Sequence, residues 1–351
     1  MNISFVLPNV PVIPAGGVIV VFQYAERLIK DGHDVTLYFQ TDMIWRNKKL
    51  KYPNYVRRFI GHIGTYISPR WYKLDSKVKK KSLFSIADFK KHDIIVATGI
   101  ETVDIVSRYS LEPIKKYYLI QDYENWGATD DYVLNSYNVG FHNIVISKWL
   151  FELVKKHSST DPIYIPDGID TQIFNCNCEE KRINHSIVFH YRSAEEKGCK
   201  YAIEVVKKLR LKYSDLKVVI VSKEEKNESI PEWCEYKQNI KLHEVARINR
   251  ESEIFLCTSI NEGFGLPGLE AMACGCALCT TNYLGGREYA VDRKNALVSP
   301  VRDVEGMYRN VIELFENEEL RKKVVSNGIR TAKEFSLERS YKKLLSAFLD
   351  A

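Results

Sequence analysis

The chain has 351 residues, of which 45% are apolar and 27% charged, and it carries a formal net charge of +6. This composition excludes a disordered, collagen-like or disulfide-stapled protein, and the length predicts two domains that each close their own core. No stretch approaches the roughly 18 apolar residues of a membrane span. The first residues lack the basic start and cleavage site of a signal peptide, so we expect a cytoplasmic protein.

Strand and helix patterns alternate along the first half of the chain. Ile3 to Leu7 predicts a strand, and apolar residues from Val18 to Ile29 follow helical spacing up to Gly32, a typical helix terminator. Further strands are predicted at residues 35–39, 94–97, 117–120 and 144–146. This alternation is typical of a parallel, doubly wound sheet.

A strongly basic stretch interrupts this first half. Between Arg46 and Lys81 there are twelve basic residues and one acid, Asp75. Such a stretch can meet the phosphates of an anionic membrane, of a lipid-linked substrate or of a nucleic acid. A solvated basic face with its aromatic side chains folded inward is an equal alternative. The interleaved aromatic residues are Trp45, Tyr52, Tyr55, Phe59, Tyr66, Trp71 and Tyr72.

A second alternation follows the loop from Pro166 to Asp170. A helix is predicted from Cys199 to Lys212, and strands are predicted at residues 187–190, 217–221, 254–258, 277–281 and 296–298. The pattern therefore predicts an α/β protein with two Rossmann-like domains in tandem, joined near residues 166–180. In such a pair, we expect the binding site in the cleft between the carboxyl ends of the two sheets.

All cysteines lie in this second half. No His stands at ligand spacing beside them, and the last three fall in an apolar run, so we expect reduced, buried thiols and no metal site. The eight are Cys176, Cys178, Cys199, Cys234, Cys257, Cys274, Cys276 and Cys279.

The segment from Asn261 to Gly275 carries the most chemistry. A strand leads into a glycine-containing loop, and Pro267 suits the first turn of a helix that ends at Gly275. The free backbone N–H groups and the positive end of that helix predict a phosphate site. Glu270, one turn into the helix, is suited to accept hydrogen bonds from the vicinal hydroxyls of a ribose, and Glu262 precedes the loop on the side where a sugar would extend.

Two glutamates placed around Gly263-Phe264-Gly265-Leu266-Pro267 resemble the signature of the family-4 retaining glycosyltransferases of the GT-B fold. Arg192 and Lys197, which follow the first strand of the second domain, resemble the Arg and Lys pair that neutralises the donor diphosphate in that family. The physics agrees, because two cations and a helix N-terminus stabilise the charge on a departing nucleoside diphosphate.

The resemblance implies an α/β GT-B fold, in which two Rossmann-like doubly wound domains face a central cleft. Residues 1–168 would form the acceptor domain and residues 169–335 the nucleotide-sugar donor domain, with a final helix at residues 336–351 crossing back to the first domain. The implied reaction is hexosyl transfer from a nucleotide sugar to a saccharide or lipid-linked acceptor, with retained anomeric configuration and without a metal or other cofactor. Cell-surface polysaccharide or glycolipid synthesis would be its setting, with residues 46–81 on the inner face of the membrane; nucleic acid is not an expected partner.

Residue roles follow from the same resemblance. Glu262, Arg192 and Lys197 would be catalytic. Many relatives place a His near the donor sugar where this chain has Gln121 and Asp122. These two could contact the sugar or acceptor, but a local turn is an equal interpretation of Asp122. The implied donor-binding residues are Gly16, Gly17, Gly263, Phe264, Gly265, Leu266 and Glu270.

Several other functions remain open at this stage. A glycoside hydrolase also uses two carboxylates, although they must flank the scissile bond. A sugar-nucleotide epimerase or a phosphorylase can share the fold. A non-catalytic module would bind nucleic acid or membrane through the basic stretch. The sequence names neither the base, the sugar nor the acceptor.

Overall fold

The computed structural model describes residues 1–12, 14–41, 54–67, 69–83, 89, 91–108, 114–176 and 180–350. Trp45, Tyr52 and Cys178 lie outside these ranges, as do the basic residues from Arg46 to Lys51. The chain divides into two compact units, the first comprising residues 1–166 with 341–351 and the second residues 167–340. The division falls two residues before the predicted boundary at residue 168.

In the described part of the first unit, the strands form one parallel sheet of the order β3-β2-β1-β4-β5-β6-β7. The predicted strands are confirmed, with ends shifted by up to two residues. β3 and β7 were not predicted, because lysines fill most of β3 and β7 is too short to show a period. The strands are β1 (Asn2–Leu7), β2 (Asp34–Gln40), β3 (Lys79–Leu83), β4 (Ile94–Ala97), β5 (Lys115–Ile120), β6 (His142–Val145) and β7 (Ile163–Tyr164).

The first helix follows β1 as the apolar spacing predicts. Its buried residues include Val21, Ala25 and Leu28, and the chain leaves the helix through Gly32, whose φ of +82° suits glycine. The helices of this unit are α1 (Gly16–Lys30), α2 (Asn54–Ile67), α3 (Ile100–Ser107), α4 (Asp130–Ser136) and α5 (Lys148–His157).

The aromatic residues of the basic stretch divide into two groups. The rings of Trp71 and Tyr72 fold inward onto Phe22, with centroid distances of 6.0 and 5.2 Å. The expectation that the aromatic side chains fold inward is wrong for α2, because Tyr55, Phe59 and Tyr66 are exposed. The interpretation as a basic face with buried aromatic rings therefore holds for only part of the stretch.

In the described part of the second unit, parallel strands form a sheet of the order β10-β9-β8-β11-β12-β13. Its strands are β8 (Ile183–Tyr191), β9 (Lys217–Ser222), β10 (Glu235–Gln238), β11 (Ser252–Cys257), β12 (Ala277–Thr281) and β13 (Leu297–Ser299). Its helices are α6 (Cys199–Lys212), α7 (Leu242–Glu251), α8 (Leu266–Ala273), α9 (Val304–Glu316), α10 (Glu318–Glu334) and the first turn of α11 (Leu337–Asp350).

From Tyr341 onward α11 belongs to the first unit. The hydroxyl of Tyr341 donates to the carboxylate of Asp31, and the hydroxyl of Tyr117 donates to the carbonyl of Ala347 at 2.7 Å. The ring of Phe348 lies 4.9 Å from that of Tyr117. These contacts join the C-terminal helix to the first unit, whose sheet is formed by the N-terminal part of the chain.

Strand order reverses once in each sheet, between β1 and β4 in the first and between β8 and β11 in the second. In open parallel sheets, the helices on either side of such a reversal leave a crevice at the carboxyl ends of the strands. The predicted site residues follow these strand ends.

Candidate active site

Lys197 and Glu262 meet beside the strand reversal of the second sheet. Lys197 ends a 3₁₀ turn that follows β8, and Glu262 lies in the loop that follows β11. The Lys197 Nζ atom lies 3.4 Å from Glu262 Oε2, and the Ser259 hydroxyl donates to Glu262 Oε1. Their side chains are 32 and 17% exposed, so both groups remain accessible to a ligand.

Backbone contacts hold the two loops together. The N–H groups of Ile260 and Asn261 both donate to the carbonyl of Glu196, at 2.7 and 3.2 Å. Gly198 has a φ of +60°, and a Cβ there would lie 2.0 Å from the carbonyl oxygen of Thr258. The position immediately after Lys197 therefore requires a glycine, which explains why Lys197 is followed by Gly198.

Two further cations, Arg192 and Lys223, interact with each other, and Lys223 also interacts with Glu270. Arg192 follows β8, and Lys223 follows the neighbouring strand β9. Burial, and then the charge of Arg192, lower the pKa of Lys223 to about 8. Burial raises the pKa of Glu270 to about 7, against the opposing effect of Lys223. Burial, and then the charges of Arg192 and Lys223, lower the pKa of His190 to about 4.

Lys223 was not predicted from the sequence. No motif marks it, since it stands alone after an ordinary apolar strand. The signal that could have found it is topological: β9 lies beside β8, so the residues after both strands reach the same edge of the sheet.

The loop before α8 is held by two buried tyrosines. Gly265 has a φ of +92°, and a Cβ there would lie 2.0 Å from the Tyr283 hydroxyl oxygen. The Tyr289 hydroxyl donates to the carbonyl of Gly265 at 2.6 Å, and the two tyrosine oxygens lie 3.0 Å apart. Helix α8 begins at Leu266 with Pro267 in its first turn, and the chain leaves it through Gly275 at a φ of +74°. The predicted helix is confirmed.

Phe264 packs in the interior. Its ring is buried, with centroids 5.8 Å from the rings of both Tyr289 and Phe335. Gly285 packs just as closely, because a Cβ there would lie 2.5 Å from the carbonyl oxygen of Glu262. The aromatic side chain therefore fixes the loop, and a donor contact at Phe264 would use its backbone.

Of the first-unit candidates, Gly17, Gln121 and Asp122 border a cavity of about 570 Å³ at the reversal between β1 and β4, whereas Gly16 does not. Gly17 and Gln121 line it together, and a Cβ at Gly17 would lie 2.7 Å from Gln121 Oε1. Gly17 thus makes room for the Gln121 side chain, while Gly16 opens α1 with no atom near its own Cβ position. Asp122 also lines the cavity, and its Oδ1 accepts the N–H of Tyr123 at 2.8 Å, a local contact of the kind that a turn makes.

The cysteines of the described residues are all free thiols. Cys274, Cys276 and Cys279 are buried, as expected, whereas Cys176 is exposed. Within the described ranges, no cluster of three or more His, Cys, Asp or Glu residues is arranged to hold a metal ion.

The family model described as glycosyl transferases group 1 matches residues 180–331, the range that holds Arg192, Lys197, Lys223, Glu262 and Glu270. Over 96 residues the chain is 34% identical to an uncharacterized glycosyltransferase, MJ1178, of Methanocaldococcus jannaschii, an alignment that covers 27% of each chain. Over 116 residues it is 27% identical to the O-antigen chain mannosyltransferase B of Escherichia coli, which covers 33% of this chain and 30% of that one. The matches thus span less than a third of either relative.

Similarity to solved structures extends over the whole chain. HepE of Anabaena in complex with UDP-glucose superposes with a TM-score of 0.76 at 12% identity and covers 100% of both chains. Sucrose-phosphate synthase of Thermosynechococcus elongatus gives a TM-score of 0.78 at 12% identity, covering 99% of this chain and 98% of that one. At these identities the likeness shows the fold. The chain has the α/β GT-B fold, and the range that matches the group 1 glycosyltransferase model lies in its second unit.

Within the described ranges, no helix combines the length and the apolar character that crossing a membrane requires.

Proposed function

We propose that this protein is a retaining, metal-independent glycosyltransferase that moves a hexosyl group from a nucleoside-diphosphate sugar to a saccharide or lipid-linked acceptor. The observation that carries the proposal is the convergence of Lys197, Glu262, Arg192, Lys223 and Glu270 at one edge of the glycosyltransferase domain. The O-antigen mannosyltransferase among its relatives and the UDP-glucose bound to HepE agree with a nucleotide-sugar donor and with synthesis of cell-surface saccharides.

The charges of the site suit a leaving diphosphate. Arg192, Lys197 and Lys223 would surround it, and the N–H groups that open α8 would add the positive end of a helix dipole. A bound diphosphate would also favour the charged form of Lys223, whose pKa is lowered to about 8 by burial and by Arg192. These cations could supply the charge neutralisation that other transferases obtain from a metal ion.

The carboxylates would orient the donor. Glu262, held by Ser259 and Lys197, would accept hydrogen bonds from hydroxyls of the transferred sugar. Glu270 would accept those of the ribose. The acceptor hydroxyl would then attack carbon 1 on the face that the diphosphate leaves. The bond to the diphosphate would break as the new glycosidic bond forms, and a phosphate oxygen would take the acceptor proton.

Calorimetric titration of the full chain with UDP, GDP, ADP and dTDP tests this proposal. One of these nucleotides should bind, and Lys223→Met should weaken its binding by about tenfold, the equivalent of about 1.4 kcal/mol. Lys226→Met is the matched control, since Lys226 lies three residues further on and pairs with the exposed Glu232. Equal losses in both variants, or no binding of any nucleotide, would refute the assignment of the donor site.

We further propose that the first unit rests on an anionic membrane through the basic stretch at residues 46–81. Helix α2 supports this, because its inward face is small and polar: Gly61 packs against Thr41, Thr65 is buried, and the His62 ring forms a hydrogen bond of 2.6 Å with Ser82. Its outward face is apolar, which inverts the usual arrangement of a surface helix. The exposed residues are Tyr55, Phe59, Ile60, Ile63, Tyr66 and Ile67.

Basic residues border this apolar face. The Lys80 ammonium donates to the carbonyl of Tyr66 at 3.4 Å, near the end of α2, and Lys77 and Lys81 are exposed nearby in the chain. An amphipathic helix with aromatic and aliphatic residues on one side and cations at its border is suited to the interface of an anionic bilayer.

Co-sedimentation with vesicles of phosphatidylcholine, with and without phosphatidylglycerol, tests the membrane proposal. Binding should require phosphatidylglycerol and should fall with added salt. Phe59→Ser, at a residue 63% exposed, should reduce it, whereas Leu211→Ser on α6, at a residue 91% exposed, should not. If sedimentation velocity shows a dimer that Phe59→Ser dissociates, the face binds a second copy and the membrane proposal is wrong.

A further inference from the structure

Three aromatic rings meet at Phe264, two residues after Glu262. The rings of Tyr289 and Phe335 each lie 5.8 Å from that of Phe264, and 6.5 Å from one another. Phe264 and Tyr289 are buried, and Phe335 is half-buried at the residue that ends α10. The loop that holds Glu262 therefore packs, through one ring, on the end of a helix more than sixty residues further along the chain.

That helix end lies beside a passage of the chain between the two units. The chain passes from the first unit to the second after Pro166 and returns after Ser340. We call residues 167–170 and 335–340 the crossing segments, and both belong to the second unit. The N–H of Ile169 donates to the carbonyl of Phe335, and the N–H of Leu337 donates to the carbonyl of Ile169, both at 2.9 Å.

The two crossing segments pack as closely as backbones can. Ile169 and Ser336 form a parallel bridge, and a Cβ at Gly168 would lie 2.6 Å from the Ser336 carbonyl and from the Leu337 nitrogen. Any side chain at residue 168 must therefore push the segments apart, because the atoms it would meet belong to the backbone. The side chains of Ile169 and Leu337 are buried beside this bridge.

Phe335 takes part in both arrangements. Its carbonyl oxygen accepts the hydrogen bond that pairs the crossing segments, and its ring supports Phe264. A displacement of the Phe335 backbone therefore displaces the ring on which the loop rests. Close-packed interiors transmit such displacements, because a gap beside a ring forfeits its contacts.

We propose that Phe335 is a positioning residue whose ring couples the paired crossing segments to the loop that carries Glu262. When the bridge between Ile169 and Ser336 opens, the loop loosens and Glu262 loses its fixed place beside Lys197. The role of that loop in donor binding rests on the proposed function, whereas the coupling itself is a property of the packing.

A second ring cluster separates this role from ordinary core packing. Phe315 ends α9 much as Phe335 ends α10, and its ring lies 5.1 Å from that of His185 and 5.4 Å from that of Tyr213. Its neighbours belong neither to the loop nor to the crossing segments. Phe315→Leu is thus the matched control for Phe335→Leu, since each removes one ring from a cluster of three in the same unit.

Hydrogen exchange of the full chain without any ligand tests the coupling. The amides of Ile260 and Asn261 report on the loop, because both are hydrogen bonded to the carbonyl of Glu196. Gly168→Ala, which forces the crossing segments apart, should speed exchange in peptides covering residues 259–266 by about fivefold, a typical size for coupling between sites. In a Phe335→Leu background the same change should add less than about twofold, because the ring that transmits it is gone.

The controls are compared at equal free energy of unfolding of the second unit, set by urea. Under that condition Phe335→Leu should speed exchange of the loop and Phe315→Leu should not. Three results would overturn the inference: loop exchange unchanged by Gly168→Ala, equal increases with and without the Phe335 ring, or the same increase in Phe315→Leu. If Phe335→Leu does not fold, the wild type decides, since its loop and crossing peptides should open together with one dependence on urea.

Calorimetry distinguishes this inference from the proposed function. If a nucleotide binds, Phe335→Leu should weaken its binding by about fivefold, whereas Phe315→Leu should leave it unchanged. Equal affinities for the wild type and Phe335→Leu would show that the loop is not coupled to the donor. If no nucleotide binds the wild type, the proposed function fails, and the exchange measurements still decide the coupling.

Discussion

Glu124 should make the first unit less stable as the pH rises. Its carboxyl is buried, and burial raises its pKa from the ordinary 4.5 to about 8, with Glu101 adding to the effect against the hydrogen bonds from Ile100 and Tyr118. The folded state therefore holds a proton that the unfolded state releases, and stability falls between pH 4.5 and 8. Glu124→Gln keeps an oxygen for the Ile100 N–H but cannot ionise.

The size of the effect follows from the two pKa values. A difference from 4.5 to about 8 amounts to about 5 kcal/mol when the group is fully ionised in both states. Between about pH 5.5 and pH 8 the expected loss is about 3 kcal/mol. The wild-type protein should lose this much relative to Glu124→Gln. Burial also raises the pKa of Asp167 to about 7. Its effect on the pH dependence of stability is the same in both proteins and therefore cancels in the comparison.

Urea unfolding at both pH values measures this difference. Hydrogen exchange of peptides from β4 and β5 identifies the transition of the first unit, since the chain has two units that can unfold separately. Glu152→Gln, at an exposed glutamate of α5, controls for the loss of a carboxylate. Parallel pH profiles for the wild type and Glu124→Gln would refute the reasoning.

Three further changes test the second unit and the function proposed for it. Gly265→Ala should destabilise it by about 2 kcal/mol or more, because the new Cβ meets the Tyr283 hydroxyl at a φ that favours glycine; a Tm unchanged from wild type would contradict this packing. Lys197→Met should reduce sugar transfer by about 10²-fold or more, with an unchanged circular dichroism spectrum. The substitution removes the cation that pairs with Glu262 and one of the cations proposed to stabilise the leaving diphosphate. Glu270→Gln should weaken nucleotide binding above pH 7 more than below it, because the wild-type carboxylate ionises with a pKa of about 7; a uniform loss across pH would show that its charge is not involved.

Much of the fold could be predicted because strand and helix periods are local properties of the sequence. Helix α6 and strand β12 begin and end where their apolar patterns predict. Helix α2 could not be predicted in this way, since its apolar residues face solvent and mark a surface rather than a core. Strand β3 was missed because it is an edge strand in which three of five residues are lysines, a composition that edge strands tolerate.

The site could be predicted where one loop contains both the charged residues and the glycine turn that positions them. Glu262 and Glu270 flank such a loop, and Lys197 precedes a glycine that the close packing at Thr258 requires. Lys223 follows β9 and reaches the site only through strand order, which no local pattern encodes. Gln121 was found only by contrast with a family pattern.

The return of α11 makes the first unit discontinuous in sequence. Its sheet comes from residues 1–166, but the helix that covers Tyr117 and Asp31 comes from residues 341–350, after the entire second unit. During synthesis the second unit can therefore close its core before the first is complete. A fragment ending at Pro166 would leave the ring of Tyr117 without its cover. The first unit is therefore the first to be translated and the last to be completed.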